Sequence, residues 1–186
     1  MSRWEPDARG RLERAALELY SERGFEQTTA AQIAERAGLS ERTFFRYYAD
    51  KREVLFGGAQ LLEGVFVDTL AAVPASVGPI DAMALTLEAV AEFFADRHEF
   101  ARRRQEVIAA NVELQERELI KLASLTAALA TTLRGRGVSE AVASLAAEVG
   151  VAVFKVGFER WVRAGSGSLA SFLREALAEL RVVVSP

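Results

Sequence analysis

TTAAQIAERAGLSERTFFRYYADK, residues Thr28–Lys51, is the stretch whose reading decides the fold. Thr29 followed three residues later by Gln32 is a capping box, which opens a short helix over about Ala30–Ala37. Gly38 supplies a tight turn, and Ser40 is the N-cap of a third helix running to about Tyr48. On a helical wheel Leu39, Phe44 and Tyr48 fall on or near one side, at a spacing that suits packing onto the preceding helices. Glu41, Arg42, Phe45 and Arg46 gather on the opposite side, flanked by Thr43 and Tyr47. This is the layout of a helix-turn-helix, in which one helix props a second into the major groove of DNA.

Only the N-terminal turns of such a helix reach base edges, so Glu41, Arg42 and Phe45 are the candidates for reading sequence. Arg42 can donate two hydrogen bonds to guanine O6 and N7, and Phe45 offers apolar contact to a thymine methyl. Glu41 can accept from cytosine N4 or neutralise Arg42. Thr43, Tyr47 and Lys51 have donors suited to phosphates, and Ser40 and Arg46 complete the same surface. Thr29 places a hydroxyl beside the free N–H groups of a helix start, another phosphate seat.

Charge gives this interpretation little general help. The whole chain carries a net charge of −3, and residues 1–56 hold ten basic and ten acidic side chains. Locally, Ser40–Arg52 sets Arg42, Arg46, Lys51 and Arg52 against Glu41 and Asp50. Attraction to phosphate therefore has to come from that surface and from helix N-termini.

Working outward, Leu12, Ala15, Ala16, Leu19 and Tyr20 have the spacing of an amphipathic helix over Arg9–Arg23. Gly24 caps it, and Phe25 can fold back onto it. Asp50 with Glu53 repeats the capping-box signal for a fourth helix extending to about Ala72. VPASVGP, residues 73–79, is the clearest break in the chain. Beyond it every segment reads helical, over about 80–95, 98–111, 113–134, 139–164 and 168–183. The expected fold is all-α with about nine helices, a three-helix unit at 1–50 and a larger helical domain at 51–186.

The chain has 186 residues, 51% hydrophobic and 26% charged, with no cysteine and a single histidine. No disulfide, thiolate metal site, glycine-rich phosphate loop or metal-ligand spacing is present, so neither an enzyme nor a resident cofactor is expected. The N-terminal stretch lacks the apolar core of a signal peptide. Ala141–Phe158 is apolar but interrupted by Glu148 and Lys155, which suits a buried helix better than a membrane span. A cytoplasmic protein is expected.

Residues 12–55 resemble the N-terminal domain of TetR-family transcriptional regulators. The elements that carry the resemblance are Gly24-Phe25, Thr28-Thr29, Ile33-Ala34, Ala37-Gly38-Leu39-Ser40, Thr43-Phe44-Phe45-Arg46-Tyr47-Tyr48 and Lys51. It implies phosphate contacts at Thr29, Tyr47 and Lys51, and groove-facing side chains at Glu41, Arg42 and Phe45. Phe45 departs from the family, which usually has tyrosine there, so apolar contact replaces a hydroxyl grip on the backbone.

Residues 141–164 are rich in small side chains, Ala143, Ala146, Ala147, Gly150 and Gly157. Glycine inside a helix costs roughly 1 kcal/mol, so close helix approach is expected to offset it. With Leu169, Phe172, Leu173, Leu177 and Leu180 of the last helix, this makes a surface able to pair with a second copy; intrachain core is the alternative. The resemblance implies the same homodimer through the last two helices, and with it a quasi-palindromic double-stranded DNA operator. It also implies a small-molecule effector in the larger domain. Candidate lining residues are Phe66, Phe93, Phe94, Val107, Leu122, Phe154, Phe158 and Trp161. His98 reads as a solvated surface residue, and at least one of Arg102, Arg103 and Arg104 is expected to bond inside or to bind an acidic ligand. The rival interpretation is a helical ligand-binding or interaction module whose three-helix unit does not touch DNA.

Overall fold

A computed structural model of the protein describes residues 7–184; the first six residues of the N-terminal stretch, and the last two of the chain, lie outside it. In chain order the helices are α1 (Ala8–Arg23), α2 (Ala30–Arg36), α3 (Glu41–Tyr47), α4 (Ala59–Ala72), α5 (Pro79–Phe93), α6 (His98–Ala109), α7 (Val112–Gly135), α8 (Glu140–Arg163) and α9 (Leu169–Val184). Among the described residues no strand occurs. The expected fourth helix is the one that differs. Asp50 Oδ1 accepts from the backbone N–H groups of Arg52 and Glu53, as a cap does, but the turn it opens is a 3-10 turn over Glu53–Phe56. Gly57 and Gly58 follow as turn residues, Gly57 with right-handed helical dihedrals, and α4 begins at Ala59.

Two compact units result, residues 1–59 with 103–118, and residues 60–102 with 119–186. In the first, Leu12, Leu19, Phe25, Ile33 and Phe44 are fully buried, the apolar face anticipated for α1 meeting those of α2 and α3. The C-terminal half of α6 and the first turns of α7 belong to this unit. Arg104 Nε donates to the Leu55 carbonyl at 2.8 Å, and its Nη1 reaches Glu118 at 3.2 Å. Arg117 pairs with Glu53. One member of the arginine triplet thus bonds inside, while Arg102 pairs with Glu99 on the surface.

In the second unit α5, α8 and α9 pack closely on one another around Met83, Leu87, Ala147, Phe154, Leu173 and Ala176. Arg136, just past α7, donates to the carbonyls of Leu70, Val73, Pro74 and Val77 and so fastens the loop between α4 and α5. One carbonyl of the last turn of α4, that of Leu70, and three of the following loop are satisfied in this way.

Candidate nucleic-acid interface

Local chemistry builds the α2–α3 pair. Thr29 Oγ1 accepts from Gln32 N at 3.2 Å while Gln32 Oε1 accepts from Thr29 N at 3.0 Å, which closes the capping box. At the other end Leu39 N–H reaches the Ala34 carbonyl and Gly38 N–H that of Glu35, the paired bonds of a Schellman turn. Gly38 adopts φ +66°, a left-handed conformation strained for residues with a side chain. Ser40 Oγ then accepts from Thr43 N at 3.2 Å and starts α3.

Two aromatic residues hold α3 in place. Phe44 is fully buried, 5.7 Å from the ring of Tyr48, and Tyr48 donates its hydroxyl to Glu13 on α1 at 2.9 Å. Burial first, then the Glu13 carboxylate, pushes the Tyr48 phenol above its ordinary range, so it remains a neutral donor. Because the inward side is fixed, Glu41, Arg42, Phe45 and Arg46 all stand exposed on the other. Phe45 is 52% exposed, an apolar ring left in water by a helix that could have buried it. Ser40 and Thr29 are exposed as well, while Thr43 and Tyr47 are half-buried at the edges of the same surface.

Lys51 is placed differently from the expectation that it grips phosphate. Its Nζ donates to the carbonyls of Phe25 (2.9 Å), Glu26 (3.3 Å) and Thr28 (3.2 Å), and lies 4.2 Å from the centroid of the Phe25 ring. An ammonium has three protons, and all are engaged in closing the α1–α2 connection. The Lys51 carbonyl in turn accepts from Tyr20 Oη at 2.5 Å. Lys51→Met should therefore destabilise the protein by roughly 1.5–3 kcal/mol in denaturant unfolding, with the salt dependence of DNA binding unchanged. An unaltered unfolding midpoint with a flattened salt dependence would restore the phosphate role.

The charge balance of this unit resolves once the pairs are drawn. Arg14 pairs with Asp7, Arg36 with Glu18 and Glu22, and Arg52 with Asp50. The hydrogen bond from Arg36 holds the Glu22 carboxyl below the usual carboxylate range, and that from Arg52 does the same for Asp50. Among the described residues Arg9, Arg42 and Arg46 have no carboxylate in ion-pair range. Residues 1–56, with ten basic and ten acidic side chains, thus present unneutralised cations on and beside α3. No local pattern in the sequence singles out Arg9. It approaches Tyr47 and Tyr48, nearly forty positions away, only through the tertiary fold.

The second unit corrects two expectations. Phe66, Phe94, Phe154, Phe158 and Trp161 do come together, with ring centroids 5.3–6.2 Å apart. Phe93 meets Phe94 edge to face, and half-buried Leu122 packs against the same core. Val107, by contrast, is buried in the first unit. These aromatic side chains belong to or pack against the buried core of the unit. An open groove of about 350 Å³ lies between α5 and α9, lined by Ala84, Leu85, Leu87, Leu173 and Leu177 with Asp81, Glu88 and Arg174. None of the eight candidate lining residues borders it. His98 is not a solvated residue: its ring lies 4.8 Å from that of Trp161, and Nε2 meets the Trp161 carbonyl at 2.9 Å.

The proposed dimer residues Ala143, Ala147, Gly150, Gly157 and Leu173 are all buried in the chain's own core, with Phe172 and Leu177 half-buried against it. Their smallness does serve close approach, but to α5 and α9 of the same chain. A side chain at Gly157 would meet the backbone of Leu173 at 3.2 Å, and one at Gly150 would run into Met83. The opposite face of α8 is the open one. Val142, Leu145, Val149, Ala152 and Val156 follow one another at steps of three and four, and all but half-buried Val149 are exposed. That is a heptad seam.

An α-helical unit whose third helix is anchored by Phe44 and Tyr48 and offers Arg42, Phe45 and Arg46 outward is a helix-turn-helix protein. Residues 13–56 match the family model of bacterial regulatory proteins of the tetR family, and residues 77–185 match that of the MftR C-terminal domain. The chain belongs to the TetR family of transcriptional regulators.

Among curated relatives, the HTH-type transcriptional regulator TcmR of Streptomyces glaucescens is 40% identical over 82 residues, 44% of this chain and 36% of that protein. The HTH-type transcriptional regulator Rv2250c of Mycobacterium tuberculosis is 34% identical over 92 residues, 50% of this chain and 47% of that one. The chain thus spans less than half the length of these two relatives. Among solved structures, Thermus thermophilus FadR in complex with lauroyl-CoA is 26% identical, with a TM-score of 0.53 over 96% of this chain and 95% of that one. Bacillus subtilis FadR with stearoyl-CoA shares the fold at 19% identity, with a TM-score of 0.61 over 92% and 96%.

Proposed function

We propose that this protein is a homodimeric repressor that binds a quasi-palindromic operator and leaves it when a small-molecule effector occupies the larger domain. The observation that carries the proposal is the outward face of α3, where Glu41, Arg42, Phe45 and Arg46 stand in solvent on a helix locked from behind. Arg42 and Phe45 read bases, and Thr29, Ser40, Thr43 and Tyr47 bind backbone. Such a regulator acts in the cytoplasm, where the chromosome is. A gel shift against the protein's own upstream region tests this; no shift at low salt with the dimer intact would favour the interaction-module alternative. Arg42→Ala should weaken operator binding roughly ten- to hundredfold and relax sequence preference, with little change on random duplex. Equal loss on both duplexes would contradict base reading.

The exposed heptad seam of α8 supports a dimer better than its small-residue face does. Val142, Leu145, Val149, Ala152 and Val156 form a stripe that a two-fold copy can match with its own, and Glu148 and Lys155 beside it carry opposite charges. For the effector, the apolar aromatic interior and the likeness to an acyl-CoA-bound FadR make lauroyl-CoA the first compound to test. Linkage requires operator DNA to weaken its binding by the same factor that it weakens the operator's. Equal effector affinity with and without operator would remove it as the inducer.

A further inference from the structure

Arg9 lies in the first turn of α1, exposed, on the side that meets α3. Its Cζ is 6.0 Å from the ring centroids of both Tyr47 and Tyr48. Arg46 Cζ stands 5.0 Å from the same Tyr47 ring and donates Nη2 to the Tyr47 hydroxyl oxygen at 3.3 Å. Two guanidinium groups therefore share one phenol, and among the described residues neither has a carboxylate in ion-pair range. Arg14, exposed on the same helix, is by contrast neutralised by Asp7 at 3.2 Å. An exposed aromatic face attracts each cation by only about 0.5–1 kcal/mol and cancels neither charge. What completes the arrangement is an anion with several acceptor oxygens. Guanidinium groups match phosphate oxygens in bidentate fashion, and the Tyr47 proton is left to donate while its oxygen accepts from Arg46.

The geometry points to a phosphate seat formed by Arg9, Arg46 and Tyr47, with the DNA backbone as its occupant; it rests on the DNA-binding reading given above. The seat draws on α1 and α3 together, so one phosphate is held by two helices of the unit. Arg9 is then a positioning residue: it sets the register in which α3 enters the groove and reads no base itself.

The test measures binding of the full-length protein to a labelled random-sequence duplex by fluorescence anisotropy across a salt series. Arg9→Ala should lower the magnitude of the log K against log[salt] slope by about 0.9 for each engaged seat, hence about 1.8 for a dimer using both. Arg9→Lys keeps a phosphate donor and should keep the slope. Arg14→Ala removes the same charge from the same helix and should leave the slope near that of the wild type. The seat is overturned if Arg9→Ala retains the wild-type slope, if Arg14→Ala flattens it as much, or if Arg9→Lys is as flat as the alanine variant. A wild-type protein that binds no duplex even at low salt overturns the DNA-binding reading as well, which separates the two failures.

Discussion

Leu145→Glu should leave the protein monomeric and unable to shift its operator. Leu145, in the N-terminal half of the α8 seam, is 67% exposed, the most open of its large apolar side chains. In a two-fold assembly each substitution acts twice. Withdrawing two leucines from an interface costs roughly 3–6 kcal/mol at about 1.5–3 kcal/mol each, before any penalty for bringing two carboxylates together. That corresponds to a dimer dissociation constant raised at least about a hundredfold. One reading helix alone contacts half an operator, so specific affinity falls with the dimer. Sedimentation velocity together with a gel shift reads both effects. The fold is expected to survive, because the side chain already meets water in the isolated chain. A variant that still sediments as a dimer would move the two-fold axis away from this seam.

Gly157→Val should act on the other face of the same helix, and through stability rather than assembly. A Cβ at this position falls 3.2 Å from the Cα and N of Leu173 and 2.7 Å from its Cδ2. Backbone cannot swing aside as a side-chain tip can, so α8 and α9 must separate. Overpacking of this kind costs about 1–3 kcal/mol, and valine, branched at Cβ, belongs at the upper end. The glycine-to-valine change recovers only a few tenths of a kcal/mol in helix propensity. A net loss of about 2–3 kcal/mol lowers the melting temperature on the order of 5–10 °C in a chain of this size. Gly150→Ala is the comparison: its neighbour is the flexible Met83 side chain, which can turn away, so that variant should lose little. If Gly157→Val instead dissociated a dimer without changing monomer stability, the small-residue face would be the intersubunit surface after all.

Most of the helical framework was legible because its signals act over three or four residues. The Thr29–Gln32 box, the Gly38 turn and the Ser40 cap are written locally and form as read. The same holds for the inward Phe44 and Tyr48, since helical period alone places them on one side. Asp50 shows where this stops. Its cap is made, but a cap does not state how far the turn it opens continues, and here a 3-10 turn and the turn at Gly57-Gly58 precede α4.

The site was legible only in part, for a reason that Lys51, Arg9 and His98 share. Each is defined by a partner far along the chain, respectively the Phe25–Thr28 carbonyls, the Tyr47 ring and Trp161. An isolated charge or imidazole in a sequence does not state what it will meet.

α8 poses the sharper case, because both of its faces are apolar. Periodicity reveals two stripes, one of alanine and glycine and one of valine and leucine, and is symmetrical between them. Local propensity and capping sufficed to determine an all-helical chain with an outward α3. Which stripe of α8 became core was decided by packing: only the small one lets the α9 backbone approach closely, leaving the branched aliphatic stripe for solvent or a second copy.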